Sequence, residues 1–176
     1  MVTKVYGTQG VDKVQDNVIA TADLQDGAVT AAKIASGVAG TGPTFSAYPS
    51  ASTTLSPGTW TKINYATELW DTNSNYASSR FTPTVAGYYQ INAIFGEGLS
   101  AANANFYIGI YKNGVNYKYM QYVTEAAWYT NIPVNGMIYC NGTTDYIEIY
   151  VYNSSAYTNS TKFQTNFFEG FLARAA

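Results

Sequence analysis

The sequence predicts an antiparallel all-β domain, a sandwich or a barrel, on three observations: tight-turn dipeptides, runs that alternate with a period of two, and no long helical window. The turn signals are Asn113-Gly114, Asn135-Gly136 and Asn141-Gly142. Both central residues of the tightest hairpin turn need φ > 0, which Asn and Gly adopt at low cost, so each pair predicts a hairpin. Before the first of them, Phe106, Ile108 and Ile110 alternate with Tyr107, Gly109 and Tyr111, and beyond it Tyr117 and Tyr119 share a face. Ile147, Ile149 and Val151 alternate with Tyr146, Glu148, Tyr150 and Tyr152. The aliphatic face of that run is predicted core. Its tyrosine face is either an outer surface wetted through its hydroxyls or a strip covered by another subunit.

Composition narrows the function classes. Hydrophobic residues make up 47% of the 176-residue chain, enough for a sizeable core, whereas charged residues are only 11%. The surface is therefore polar but mostly uncharged, and the 17 tyrosines suit half-buried strands and protein contacts. With a net charge of -2 and no basic run, binding along a nucleic acid has no electrostatic footing.

The absence of histidine and the single cysteine exclude nucleophile–His dyads and triads, most zinc sites and an intrachain disulfide. Cys140, in the apolar run Met137-Ile138-Tyr139-Cys140, reads as a buried thiol. An enzyme reading survives only through carboxylates, Glu68, Asp71, Glu97, Glu125, Asp145, Glu148 and Glu169, and no spacing selects a pair among them. Asp71, Asn73 and Asn75 lack the following Gly and distal Glu of a calcium loop and read as a turn. Neither catalytic residues, a cofactor nor a metal is expected. The polar start Met1-Val2-Thr3-Lys4 is unlike a signal peptide, and no apolar run approaches the roughly 18 residues of a membrane helix, so no membrane insertion is expected.

Composition shifts at Ala39-Gly40-Thr41-Gly42-Pro43, which divides the chain into an N-terminal segment, 1–43, and an aromatic-rich head, 44–176. The first segment has a ten-residue period: Asp16 to Gln25 aligns with Asp26 to Ala35, and Ser36 begins a third copy. Leu24 and Ile34 are equivalent in it, and with Val18 and Val29 they are the apolar residues available for docking. So short an array cannot bury a core alone, so it is either an extended anchor ordered by a host surface or a low-complexity linker.

Phe81-Thr82-Pro83-Thr84-Val85-Ala86-Gly87-Tyr88-Tyr89 has the spacing F-x5-G-x-Y, with Trp60-Thr61-Lys62-Ile63 upstream and Phe168-Glu169-Gly170-Phe171-Leu172 near the end. In that order these features resemble the complement C1q-like globular domain over roughly residues 44 to 174. Ile91 and Ala93 stand where that family carries further aromatics, which keeps the apolar alternation but transfers no ligand. The resemblance implies a ten-strand jelly-roll β-sandwich of C1q/TNF-like type that assembles as a homotrimer. Tyr146, Tyr150 and Tyr152 then become the candidate trimer interface. Asp26-Gly27-Ala28-Val29-Thr30-Ala31-Ala32-Lys33-Ile34-Ala35 resembles repeats of bacteriophage fibre and tail proteins that precede globular heads. Together the two resemblances imply a non-enzymatic virion protein, either a trimeric capsid decoration (cement) or short head-fibre protein docked to other virion proteins through residues 1–43. The alternative is a receptor-binding tail-fibre tip that recognises host surface polysaccharide through loops such as Ser154 to Asn159. The short anchor favours the first.

Overall fold

The computed structural model describes residues 42–96, 104–123, 131–155, 157–158 and 165–176. The ten-residue repeats, with Val18, Leu24, Val29 and Ile34, lie outside the described residues. In chain order the strands are β1 (Thr44–Tyr48), β2 (Thr54–Leu55), β3 (Thr61–Lys62), β4 (Thr67–Asp71), β5 (Tyr76–Ala77), β6 (Arg80–Phe81) and β7 (Gly87–Gly96). They continue with β8 (Asn105–Lys112), β9 (Val115–Val123), β10 (Asn131–Cys140), β11 (Ile147–Asn153), β12 (Tyr157–Thr158) and β13 (Phe167–Ala175).

These form an antiparallel jelly-roll sandwich. One sheet has the order β10-β7-β13-β1-β4; the other runs β5-β6-β11-β8-β9, with β3 sharing the β11 edge with β6. Consecutive strands lie in different sheets at β3 and β4, β4 and β5, β6 and β7, β7 and β8, β9 and β10, and β10 and β11. Strands adjacent in sequence are thus often on opposite layers, and the two inner faces close on one core.

The period-2 runs explain which side is buried. In β7, Tyr89, Ile91, Ala93 and Phe95 are buried; in β8 and β11 the buried set is Phe106, Ile108 and Ile110 with Ile147, Ile149 and Val151. Fully burying each aliphatic side chain contributes about 1.5–3 kcal/mol before the entropy of ordering it is counted. An aromatic cluster closes one end of the core. Phe45 stacks on Tyr76 at 4.9 Å and Phe81 at 4.3 Å, and meets the edge of Phe168 at 4.8 Å.

The F-x5-G-x-Y spacing has a physical cause. Tyr89 packs edge-on against Phe81 at 5.4 Å, and its hydroxyl donates to the Val85 carbonyl at 2.7 Å, which ties the start of β7 to the loop before it. A Cβ on Gly87 would run into the Arg174 carbonyl of β13, so β7 and β13 can approach there only without a side chain.

Two of the three Asn-Gly pairs turn the chain. Asn113 (φ 54°) and Gly114 (φ 78°) join β8 to β9 in a two-residue loop flanked by the Lys112–Val115 pair. Asn141 starts the β10–β11 connection, and its Oδ1 accepts from the N–H groups of Thr143, Thr144 and Asp145. Because β10 and β11 lie in different sheets, this is a crossing loop and not a two-residue hairpin. Asn135-Gly136 does not turn at all. It lies inside β10, opposite Asn92 and Ile91, because ten consecutive pairs with β7 and the buried series Ile132, Val134, Ile138 and Cys140 outweigh a local turn preference.

Cys140 is fully buried, and burial pushes its thiol up to about 12, the behaviour of a packing residue.

Candidate functional site

The outer face of the second sheet carries the densest arrangement of side chains with binding chemistry. β3 pairs with β11 through Lys62–Tyr150 and Thr61–Val151, and this short pairing delivers the preceding Trp60 onto the tyrosine face. Trp60 lies 6.1 Å from Tyr107, 5.7 Å from Tyr111 and 5.8 Å from Tyr152. It can lie there because β8 has Gly109 below it: a Cβ at that position would be 3.2 Å from Trp60 and 3.1 Å from Tyr111. Tyr107 also meets Tyr152 at 5.5 Å and Tyr119 of β9 at 5.7 Å.

Beside these rings is an open groove of about 720 Å³, lined by Trp60, Tyr107 and Tyr152 with Asn105, Asn116, Tyr117, Lys118 and Tyr119. β9 shifts register beside it: Ile110 faces Lys118 but Tyr111 faces Asn116, which leaves Tyr117 as the extra residue of a bulge. No carboxylate is among the described residues that line the groove. The one cation among these residues, Lys118, has its Nζ 3.3 Å from where a Cβ on Gly136 would lie, so the ammonium is folded toward β10.

Next to the rings lies a charged cluster. Glu148 points to the same face of β11 as Tyr150 yet is only 2% exposed. Lys62 reaches its carboxylate at 2.6 Å and Arg80 at 2.9 Å, while the Tyr150 hydroxyl donates to its other oxygen at 3.3 Å. Burial pushes the Glu148 carboxyl up, but the hydrogen bonds and charges of Lys62 and Arg80 together outweigh it and hold the group below its ordinary range. Asp145 is also held low, first by the Asn113 amide and further by Lys112 and the Asn141 N–H. Both of these carboxylates, and Asp71, which accepts from the N–H groups of Asn73 and Tyr76, are engaged within the chain.

Of the predicted interface residues, Tyr150 stacks on Tyr111 at 4.2 Å, Tyr152 belongs to the Trp60 cluster, and Tyr146 lies under Arg80 at 3.9 Å. All three are half-buried within this face. More exposed aromatic and apolar side chains occur on the opposite side of the sandwich, a feature the sequence did not flag. On the outer face of the first sheet, Tyr88, Met137, Tyr139 and Phe171 are 41–48% exposed, with Tyr88 and Tyr139 paired across β7 and β10 at 5.5 Å. Alternation in β7, β10 and β13 could have identified them, since each is flanked by buried residues. A second apolar surface lies on β9. Met120 and Tyr122 pair with the core residues Ile108 and Phe106 and so point toward the core side, yet they are 51% and 48% exposed.

No protein-family model matches the chain, and no curated protein matches it. Solved structures do. The chain is similar to the globular domain of zebrafish complement 1qA protein, with a TM-score of 0.57 and 13% identity over 76% of this chain and 98% of that one. Murine APRIL at pH 5.0 gives a TM-score of 0.59 with 9% identity over 74% and 98%. The Eiger TNF of S. frugiperda gives 0.56 with 9% identity over 76% and 92%. The head therefore has a C1q/TNF-like fold.

Proposed function

We propose that the protein is a non-enzymatic virion structural protein, a homotrimeric cap or short fibre on a phage particle, docked to other virion proteins by residues 1–43. The observation that carries the assembly is the pair of unlike apolar surfaces: Tyr88, Met137, Tyr139 and Phe171 on the first sheet, and the inward side of β9 at Met120 and Tyr122. Two different patches on one chain favour head-to-tail contact, which closes into a ring when the rotation allows. A three-fold ring also accords with the C1q-like resemblance, and the phage setting rests on the resemblance of the repeats at Asp16 to Ala35.

Sedimentation of the full chain should give a trimer. Met137→Asp with Tyr139→Asp places two uncompensated charges in the proposed contact and should release a folded monomer, weakening association by at least about a hundredfold. Assembly that survives this variant but is lost with Tyr152→Asp would assign the interface to the second sheet, as the sequence suggested.

The virion role is tested on particles made without the protein. If it is a cement, they assemble and adsorb to cells, but fail at a lower temperature or milder osmotic shock, because contacts repeated by symmetry over the shell are lost. Particles of normal robustness that no longer adsorb would replace this reading with the fibre-tip alternative.

A further inference from the structure

The groove beside Trp60 has a chemistry that the assembly does not use. Its floor offers ring faces from Trp60, Tyr107 and Tyr152, mutually tilted at 49–79° with centroids 5.5–6.1 Å apart. Asn105 and Asn116 stand at its wall. The Asn105 backbone is held by the Ser154 hydroxyl, which bonds to its N–H at 2.9 Å, and by the Ser154 N–H, which bonds to its carbonyl at 3.0 Å. The side-chain amides supply both donors and acceptors, and the tyrosine hydroxyls do the same, while Lys118, the one ionised group among the described lining residues, turns toward β10.

We propose that this groove is a binding site for a neutral oligosaccharide. A pyranose has one face of C–H groups, slightly positive, that complements the negative face of an aromatic ring, and a rim of hydroxyls that exchange hydrogen bonds with amides. Among the described lining residues the one cation, Lys118, is folded toward β10, which gives an anionic chain little to pair with, and none offers a carboxylate to a cationic one. A volume of about 720 Å³ accommodates a few sugar rings. Gly109 gives the site its depth, because Trp60 settles onto the strand where a side chain would hold it off. The groove lies on the outer face of the second sheet, away from Tyr88 and Tyr139 on the first sheet and on the other face of β9 from Met120 and Tyr122, so both apolar contacts of the proposed trimer fall on different faces. This face would bind the sugar whether or not the protein is carried on a virion.

The test is titration of the full chain with neutral hexasaccharides of glucose, galactose, mannose and N-acetylglucosamine, and with oligogalacturonate as a charged counterpart. Calorimetry is the first readout, and the second is the shift of the Trp60 indole N–H signal, assigned by its loss in Trp60→Phe. At least one neutral sugar is expected to bind with a Kd between about 10 μM and 1 mM, and more tightly than oligogalacturonate. Trp60→Ala and, independently, Tyr119→Ala should each weaken it about tenfold or more, and Leu69→Ala, at an exposed side chain on β4 of the opposite sheet, should leave the affinity within about twofold. Tyr119 is 55% exposed, so its variant reports on binding even if Trp60→Ala fails to fold. No neutral hexasaccharide binding below about 10 mM, or binding untouched by Tyr119→Ala with no shift at Trp60, overturns the proposal.

Discussion

Replacing Lys62 and Arg80 together by methionine is expected to destabilise the head by about 3–5 kcal/mol at neutral pH, because it leaves an ionised carboxylate buried with no cation beside it and only the Tyr150 hydroxyl as a partner. Glu148 is 3% exposed at its side chain, whereas Lys62 and Arg80 are 31% and 44% exposed. The asymmetry decides which deletion is worse. Without Glu148 the two cations can turn toward water, so Glu148→Leu should cost much less than the double substitution. Glu148 joins three distant segments, β3, β6 and β11, so its partners fix the short strands that deliver Trp60.

The pH dependence gives a second check. The Glu148 and Asp145 carboxyls are both held below their ordinary values in the folded chain. Between those values and the ordinary range near about 4.3 the unfolded chain binds more protons, so stability rises with pH there. Their contribution is full above the ordinary range and is lost as pH falls through the folded values. In Lys62→Met/Arg80→Met, burial acts on Glu148 with neither cation beside it, its carboxyl rises, and the Glu148 contribution changes sign: protonation then relieves the fold. Denaturant midpoints measured from pH 3 to 8 should show the double variant losing least at acid pH. An unchanged acid slope would mean that the cluster does not hold the carboxylate low.

Phe45→Ala is expected to cost about 3–5 kcal/mol, which for a domain of this size lowers the thermal midpoint by roughly 10 °C or more. Phe45 fills the space between rings supplied by β5, β6 and β13, and those neighbours are fixed by their own sheets, so the cavity cannot collapse. Val115→Ala, at a side chain 69% exposed, should change stability by no more than about 0.5 kcal/mol. Similar costs for the two would show that the aromatic cluster is not where the sandwich is locked. Thermal scans on the full chain and on both variants separate the outcomes.

The sequence by itself determined what depends on a residue and its near neighbours. The period-2 runs of β8 and β11 assigned Ile108, Ile110, Ile149 and Val151 to one side, and Asn113-Gly114 supplied the two positive φ angles of a tight turn. Cys140, in an apolar strand, was identifiable as buried for the same reason. Phe81, Gly87 and Tyr89 carried the resemblance that implied the jelly roll, and their spacing serves one local device, the start of β7 tied by the Tyr89 hydroxyl to Val85. Tertiary structure decided what depends on residues far apart in the chain. It kept Asn135-Gly136 in a strand, since ten pairs with β7 outweigh the preference of two residues. It also carried Trp60 to Tyr107 and Tyr152 through the two-residue strand β3, a juxtaposition that the segment Trp60-Thr61-Lys62-Ile63, though marked in the sequence, does not encode locally. Finally, it chose which aromatic faces are exposed. Alternation says only that two sides differ; which side meets solvent depends on the layer packed against it, so Tyr88 and Tyr139 are left open while Tyr150 is covered by Tyr111.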